Sequence, residues 1–151
     1  MINFESEFKN KKIIITGHTG LKGSWLTAIL ISYGAKVIGI SDNTIKNSHL
    51  NYLKIKNKIK DLRVDIRNEK KINFIFKKIK PDYVFHLAAQ SLVPKSISYP
   101  SLTWTTNVIG TFNILNALKN KKKGKCVAII ITSDKCYLNT ENKFGYSEKD
   151  I

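Results

Sequence analysis

The chain has 151 residues, 42% of them hydrophobic, which suits one domain with a substantial core. No apolar run approaches the roughly 20 residues of a membrane span, and residues 1–12 lack the apolar stretch of a signal peptide. The net charge of +15 raises nucleic acid as a partner, yet Arg63 and Arg67 are the only arginines, and the lysines scatter among Ile and Asn as solvated faces do. No nucleic-acid partner is therefore expected, although such a charge attracts small anions.

Apolar strands alternate with helical patterns along the chain. Residues 12–16 read as a first buried strand, and three glycines follow it as Gly17-x-x-Gly20-x-x-Gly23. A strand that ends in a glycine turn at a helix N-terminus is a site for a pyrophosphate. Gly17 permits the tight turn, Gly20 lets the backbone approach the phosphates, and Gly23 lets helix and strand pack closely. The spacing differs by one residue from G-x-G-x-x-G, and a glycine loop that only turns the chain is the alternative. Leu21, Trp25, Ala28 and Ile29 have the spacing of one helix face, and Gly34 ends that helix.

A second strand is expected over residues 35–40, a short helix with a loop over 47–59, and a third strand over 62–64. Ile72, Ile75, Phe76 and Ile79 form a helical stripe that Pro81 stops. Residues 83–87 make a fourth strand, 102–118 a helix, 121–125 a Lys-Gly break and 127–131 a fifth strand. This alternation predicts an α/β doubly wound parallel sheet of order 3-2-1-4-5. In such a sheet ligands lie beyond the carboxyl ends of the strands, where Gly17, Asp42, Asp65, residues 88–91 and residues 132–135 fall. Cys126 and Cys136 form no Cys-x-x-Cys pair and read as reduced thiols, so a cytoplasmic location is expected. Trp25 and Trp104 read as packing residues, and His49 and His86 as surface or core residues without a role.

Five segments carry a resemblance: residues 17–26 (GHTGLKGSWL), Asp65-Ile66-Arg67, residues 85–90 (FHLAAQ), residues 106–111 (TNVIGT) and residues 132–137 (TSDKCY). Together they resemble the extended short-chain dehydrogenase/reductase family, and within it the 4,6-dehydratases that act on CDP-glucose. The similarity runs from about residue 11 to 146. It implies a tightly held NAD that oxidises the sugar at C4 and returns the hydride to C6 after water is lost. It further implies Ser133 at the C4 oxygen, Asp134 as the acid for the departing C6 hydroxyl and Lys135 as the C5 base, and no metal. A lysine in that role requires burial or a neighbouring cation, and a solvated turn is the bland alternative for this pair.

For the cofactor, the resemblance implies pyrophosphate binding by the backbone of Thr19, Gly20, Leu21 and Lys22, with His18 and Lys22 adding charge. A surface turn is the other reading of His18. Asp42 follows the second strand, where an acid accepts ribose hydroxyls and disfavours a 2′-phosphate, although Asn43 and Lys46 stand nearby. Asp65 and Ile66 match adenine contacts, and Leu87, Ala88, Ala89 and Gln90 match those beside the nicotinamide ribose. Asn107 is expected to bridge helix and strand backbone.

One departure stands out. The family's Tyr-x-x-x-Lys pair is missing, since Asp150 follows Tyr146 by four residues and Glu141 follows Tyr137. Residues 1–151 are thus expected to be an NAD-binding Rossmann domain that stops before the last strands and the substrate domain, with little or no turnover alone. Full-length relatives pair through two long helices, which implies a homo-oligomer and an exposed apolar face here. The remaining alternatives are another nucleotide-sugar epimerase or dehydratase of the family, and a non-catalytic dinucleotide-binding module.

Overall fold

The computed structural model describes residues 3–42, 48–119, 125–141 and 143–151. Five strands, β1 (Lys12–Thr16), β2 (Lys36–Ser41), β3 (Lys60–Arg63), β4 (Tyr83–His86) and β5 (Val127–Ile130), form one parallel sheet in the order β3-β2-β1-β4-β5. The expected topology is the observed one. The central strand β1 is apolar on both faces because helices cover both. Ile13 and Ile15 pack with Leu30 and Val37 on one side, while Ile14 joins Ile38, Ile40, Val84, Ile72, Phe76 and Ile114 on the other.

Helix α1 (Phe4–Phe8) opens the chain, capped by Asn3, whose Oδ1 accepts from the Glu5 and Ser6 amides. The sequence reading places no helix there, although Asn3 ahead of two acidic residues is a start signal. Helix α2 (Leu21–Ser32) follows the glycine turn and runs to Gly34, whose φ of +74° needs no Cβ. Helix α3 (His49–Tyr52) and a 3-10 turn (Lys56–Lys58) occupy the segment expected to hold a short helix, and β3 starts two residues earlier than expected. Helix α4 (Glu69–Ile79) buries Ile72, Ile75, Phe76 and Ile79 as the spacing predicts; Asn68 caps its start, and Lys80 leaves it in the left-handed region before Pro81. Asn43, Lys46 and most of the Lys-Gly break lie outside the described residues.

Two expectations need correction. The first concerns α2, whose buried residues are Gly23, Ser24, Thr27 and Leu30, whereas Leu21, Ile29 and Trp25 (51% exposed) face out. Packing of Gly23 against the turn sets the helix phase and overrides the apolar spacing. The buried hydroxyls are satisfied within the helix, Thr27 Oγ1 donating to Gly23 O at 2.7 Å and Ser24 Oγ to Leu21 O at 2.9 Å. The second concerns residues 102–118, which are not one α-helix. After α5 (Val93–Ser98) come α6 (Pro100–Trp104), a π-helical stretch (Thr105–Gly110) and α7 (Thr111–Lys119). Gly110, at the end of the π-helical stretch, admits Ile66: a Cβ there would stand 2.4 Å from Ile66 Cδ1, so that side chain fills the gap. Trp104 (66% exposed), Val108, Phe112 and Leu115 lie outside, so Trp104 is no core residue.

Another glycine makes a close approach. A Cβ on Gly39 of β2 would stand 2.3 Å from the buried His18 ring, which lies flat over that backbone. Gly39→Ala is expected to destabilise the fold by about 1–3 kcal/mol in urea denaturation, the usual range for overpacking. The same substitution in a His18→Ala background should cost much less, because the ring is then gone.

Candidate functional site

Parallel pairing brings the carboxyl ends of β1, β2, β3, β4 and β5 to one edge of the sheet, with Thr16 opposite both Ile40 and His86, and His86 opposite Ile130. The expected site segments all leave the sheet on that edge. Gly17 turns with φ +74°, donates its amide to Ile40 O at 2.8 Å, and sits so close to the loop after β4 that a Cβ would stand 2.8 Å from Ala88 N. A Cβ on Gly23 would stand 2.2 Å from Gly17 O, so α2 begins in contact with the turn. Gly20 is the N-cap and has no side chain to cap the first-turn amides, which with the helix dipole makes this end suited to an anion. Leu21 and Lys22 are exposed on that first turn, and Thr19 Oγ1 meets Ser41 Oγ at 3.0 Å.

His18 does something else. Its ring is fully buried, and Nε2 donates to Asp61 Oδ1 at 3.0 Å, while Arg63 Nη2 donates to Asp61 Oδ2 at 2.6 Å. Burial lowers the His18 pKa more than the nearby Asp61 carboxylate raises it. The expected charge of His18 beside a diphosphate is thus corrected: the side chain ties the turn to β2 and β3.

Asp42 is exposed just beyond β2. Asp65 is held by Arg67, whose backbone amide, Nε and Nη2 all donate to its carboxylate; those hydrogen bonds lower the Asp65 pKa and raise that of Arg67, to which Asp42 also contributes. Arg67 is not among the expected site residues, yet it interacts with two of them, Asp65 and Asp42. The Ile66 side chain is buried, and its carbonyl accepts from Asn113 Nδ2 at 3.0 Å. Asp65, Arg67, Asn68, Thr105 and Ile109 line an open cleft of about 500 Å³.

After β4, Leu87, Ala88 and Gln90 are partly buried and Ala89 is exposed. Asn107 bridges as expected, its Oδ1 accepting from Gln90 N at 2.8 Å and its Nδ2 donating to Gln90 O at 3.0 Å. The Gln90 side chain is bound to Leu92 O and Thr103 Oγ1. Beyond β5, Ser133 is the N-cap of a 3-10 turn (Asp134–Cys136), its Oγ accepting from the Lys135 amide at 3.1 Å; Ser133 and Lys135 are exposed. The burial that base chemistry asks of Lys135 is therefore not supplied by the described residues. Among the described residues, no helix is long and apolar enough to cross a membrane, and no group of three or more His, Cys, Asp or Glu is placed to hold a metal ion.

Strand, glycine turn and uncapped helix at the carboxyl edge of a 3-2-1-4-5 sheet define a Rossmann-type nucleotide-binding domain. The chain belongs to the GDP-mannose 4,6 dehydratase family of extended short-chain dehydrogenase/reductases, whose family model matches residues 14–150. It is 39% identical over 144 residues to the CDP-glucose 4,6-dehydratase of Salmonella typhimurium, covering 95% of this chain and 40% of that enzyme. In structure it resembles the epimerase Mth375 of Methanothermobacter thermautotrophicus, with a TM-score of 0.81, 26% identity, and coverage of 97% of this chain and 42% of that one. It also resembles a UDP-glucose 4-epimerase of Thermus thermophilus in complex with NAD, with a TM-score of 0.64, 25% identity, and coverage of 73% and 34%. The chain thus spans about two fifths of the length of the curated relative it matches.

Two buried histidines make stability depend on pH. Burial lowers the His86 pKa to about 4 from an ordinary value of 6.5, and lowers that of His18 as well. The unfolded chain then binds more protons, so their contribution is complete above about pH 6.5 and is lost as the pH falls toward 4, on the order of 3 kcal/mol for His86. Denaturant melts at pH 7 and 4.5 should show this loss, and His86→Gln should flatten the slope. The Asp65 contribution fades only at lower pH, because its pKa is depressed from 3.8.

Proposed function

We propose that residues 1–151 are the NAD-binding part of a nucleotide-sugar 4,6-dehydratase acting on CDP-glucose. The observation that carries the cofactor assignment is the uncapped N-terminus of α2, behind a turn in which neither Gly17 nor Gly23 has room for a Cβ. The residues present fit a dinucleotide: a diphosphate would accept from the first-turn amides of α2, with Lys22 adding charge. Asp42 would accept from the adenosine ribose hydroxyls and repel a 2′-phosphate, and the backbone at Asp65 and Ile66 would receive the adenine. Leu87, Ala88, Ala89 and Gln90 would border the nicotinamide ribose. When bound, NAD supplies a hydride acceptor for the sugar C4 and donor for C6.

The chemistry falls to the turn after β5. Ser133 would donate to the C4 oxygen. Once C4 is a ketone the C5 proton is acidic; Lys135 would take it while Asp134 protonates the leaving C6 hydroxyl, so that one water departs across C5–C6. Support for the CDP-glucose branch comes from the 39% identity to the Salmonella CDP-glucose enzyme and from the Thr-Ser-Asp-Lys-Cys-Tyr string at residues 132–137 that carries the resemblance. The likeness to epimerase structures favours a second reading, a nucleotide-sugar epimerase, which needs no acid–base pair at Asp134 and Lys135.

Calorimetry should find NAD bound more tightly than NADP, and Asp42→Ala should weaken NAD about tenfold and narrow the gap. Equal affinities would remove the role assigned to Asp42. A chimera in which this chain replaces the matched 40% of the Salmonella enzyme should strip one water from CDP-glucose, as read by mass spectrometry. Lys135→Met should slow that step at least about 100-fold. Epimerised sugar of unchanged mass would select the second reading.

A further inference from the structure

His86, the last residue of β4, was expected to be a core residue without a role, and is 2% exposed. Its Nδ1 lies 2.6 Å from Thr16 Oγ1 and its Nε2 2.9 Å from Thr111 Oγ1. Counting donors settles the direction of every bond. Thr111 Oγ1 donates its one hydrogen to Asn107 O at 2.7 Å, so toward His86 it can only accept, and Nε2 carries the proton. Thr16 Oγ1 accepts from Ala88 N at 3.2 Å and donates to Nδ1. The result is one polarised run: Ala88 N–H to Thr16, Thr16 to His86, His86 to Thr111, Thr111 to Asn107 O. Burial favours the neutral ring that this run requires.

Both ends of the run hold the same loop. At one end stands the Ala88 amide; at the other stands Asn107, whose side chain clamps Gln90 through its N–H and its C=O. We propose that His86 is a positioning residue. As a single neutral Nε2–H tautomer it sets where the backbone of Ala88 and Gln90 stands, and so shapes the part of the site that receives the nicotinamide-ribose half of the cofactor. The diphosphate half would rest on the first amides of α2, which none of these bonds reaches. This inference rests on the NAD reading above.

The test compares NAD with ADP, which lacks the nicotinamide half, by calorimetry on the 151-residue chain. His86→Phe keeps a flat ring and removes both bonds; it should weaken NAD about tenfold and leave ADP within about twofold. His86→Gln, which retains an acceptor and a donor, should recover most of the loss. If His86→Phe does not fold, His86→Asn gives the same comparison, since it keeps the acceptor for Thr16 but is too short to reach Thr111. Equal losses for NAD and ADP, or unchanged NAD affinity, would overturn the proposal. A native chain that binds ADP but not NAD would instead remove the NAD reading, and the proposal with it. Long-range proton–nitrogen NMR at neutral pH should show the Nε2–H tautomer, and the Nδ1–H pattern would overturn the bond directions.

Discussion

The structure depends on a close approach of backbones. Gly23 stands against the Gly17 carbonyl, and Gly17 against Ala88, with no space for a side-chain carbon at either contact. This brings the N-terminus of α2 to the carboxyl end of β1 and leaves its first amides for an anion rather than for a protein cap. The same contact fixes which way α2 faces. Serine and threonine then occupy the buried stripe, made tolerable because each returns a hydrogen bond to its own helix.

Much of the architecture was legible in the residues. Strand alternation gives the sheet and its order, because a strand buried on both faces has to be apolar throughout. Ile72, Ile75, Phe76 and Ile79 report their helix face correctly, since they are the residues α4 buries. In α2 the same reasoning fails, because a backbone contact at one glycine outweighs the transfer energy of Leu21, Trp25 and Ile29. Neither the π-helical stretch nor the long-range meeting of Ile66 with Gly110 was legible, because no local period records them.

The site was legible as a set of positions but not as a set of roles. Strand ends announce where Asp42, Asp65, Ala88 and Ser133 stand. What each side chain touches depends on neighbours distant in sequence. His18 turns inward because Gly39 leaves a space above β2 with Asp61 at its far side. Arg67, by contrast, engages a local partner, Asp65, two positions before it beyond β3. His86 gains two hydroxyl partners only through sheet pairing and the packing of α7.

The π-helical stretch also governs how the outer surface is laid out. In an unbroken α-helix, residues four apart drift by about 40° per step, and an apolar ridge winds around the cylinder. The wider turn over Thr105–Gly110 drifts the other way, and Trp104, Val108 and Phe112 all lie exposed along this helix. Deleting one residue there would restore the ordinary pitch and leave α7 facing the core, because a π turn accommodates one extra residue within nearly the same rotation. The wide turn thus absorbs chain length without turning Asn113, Ile114 and Ala117 out of the core.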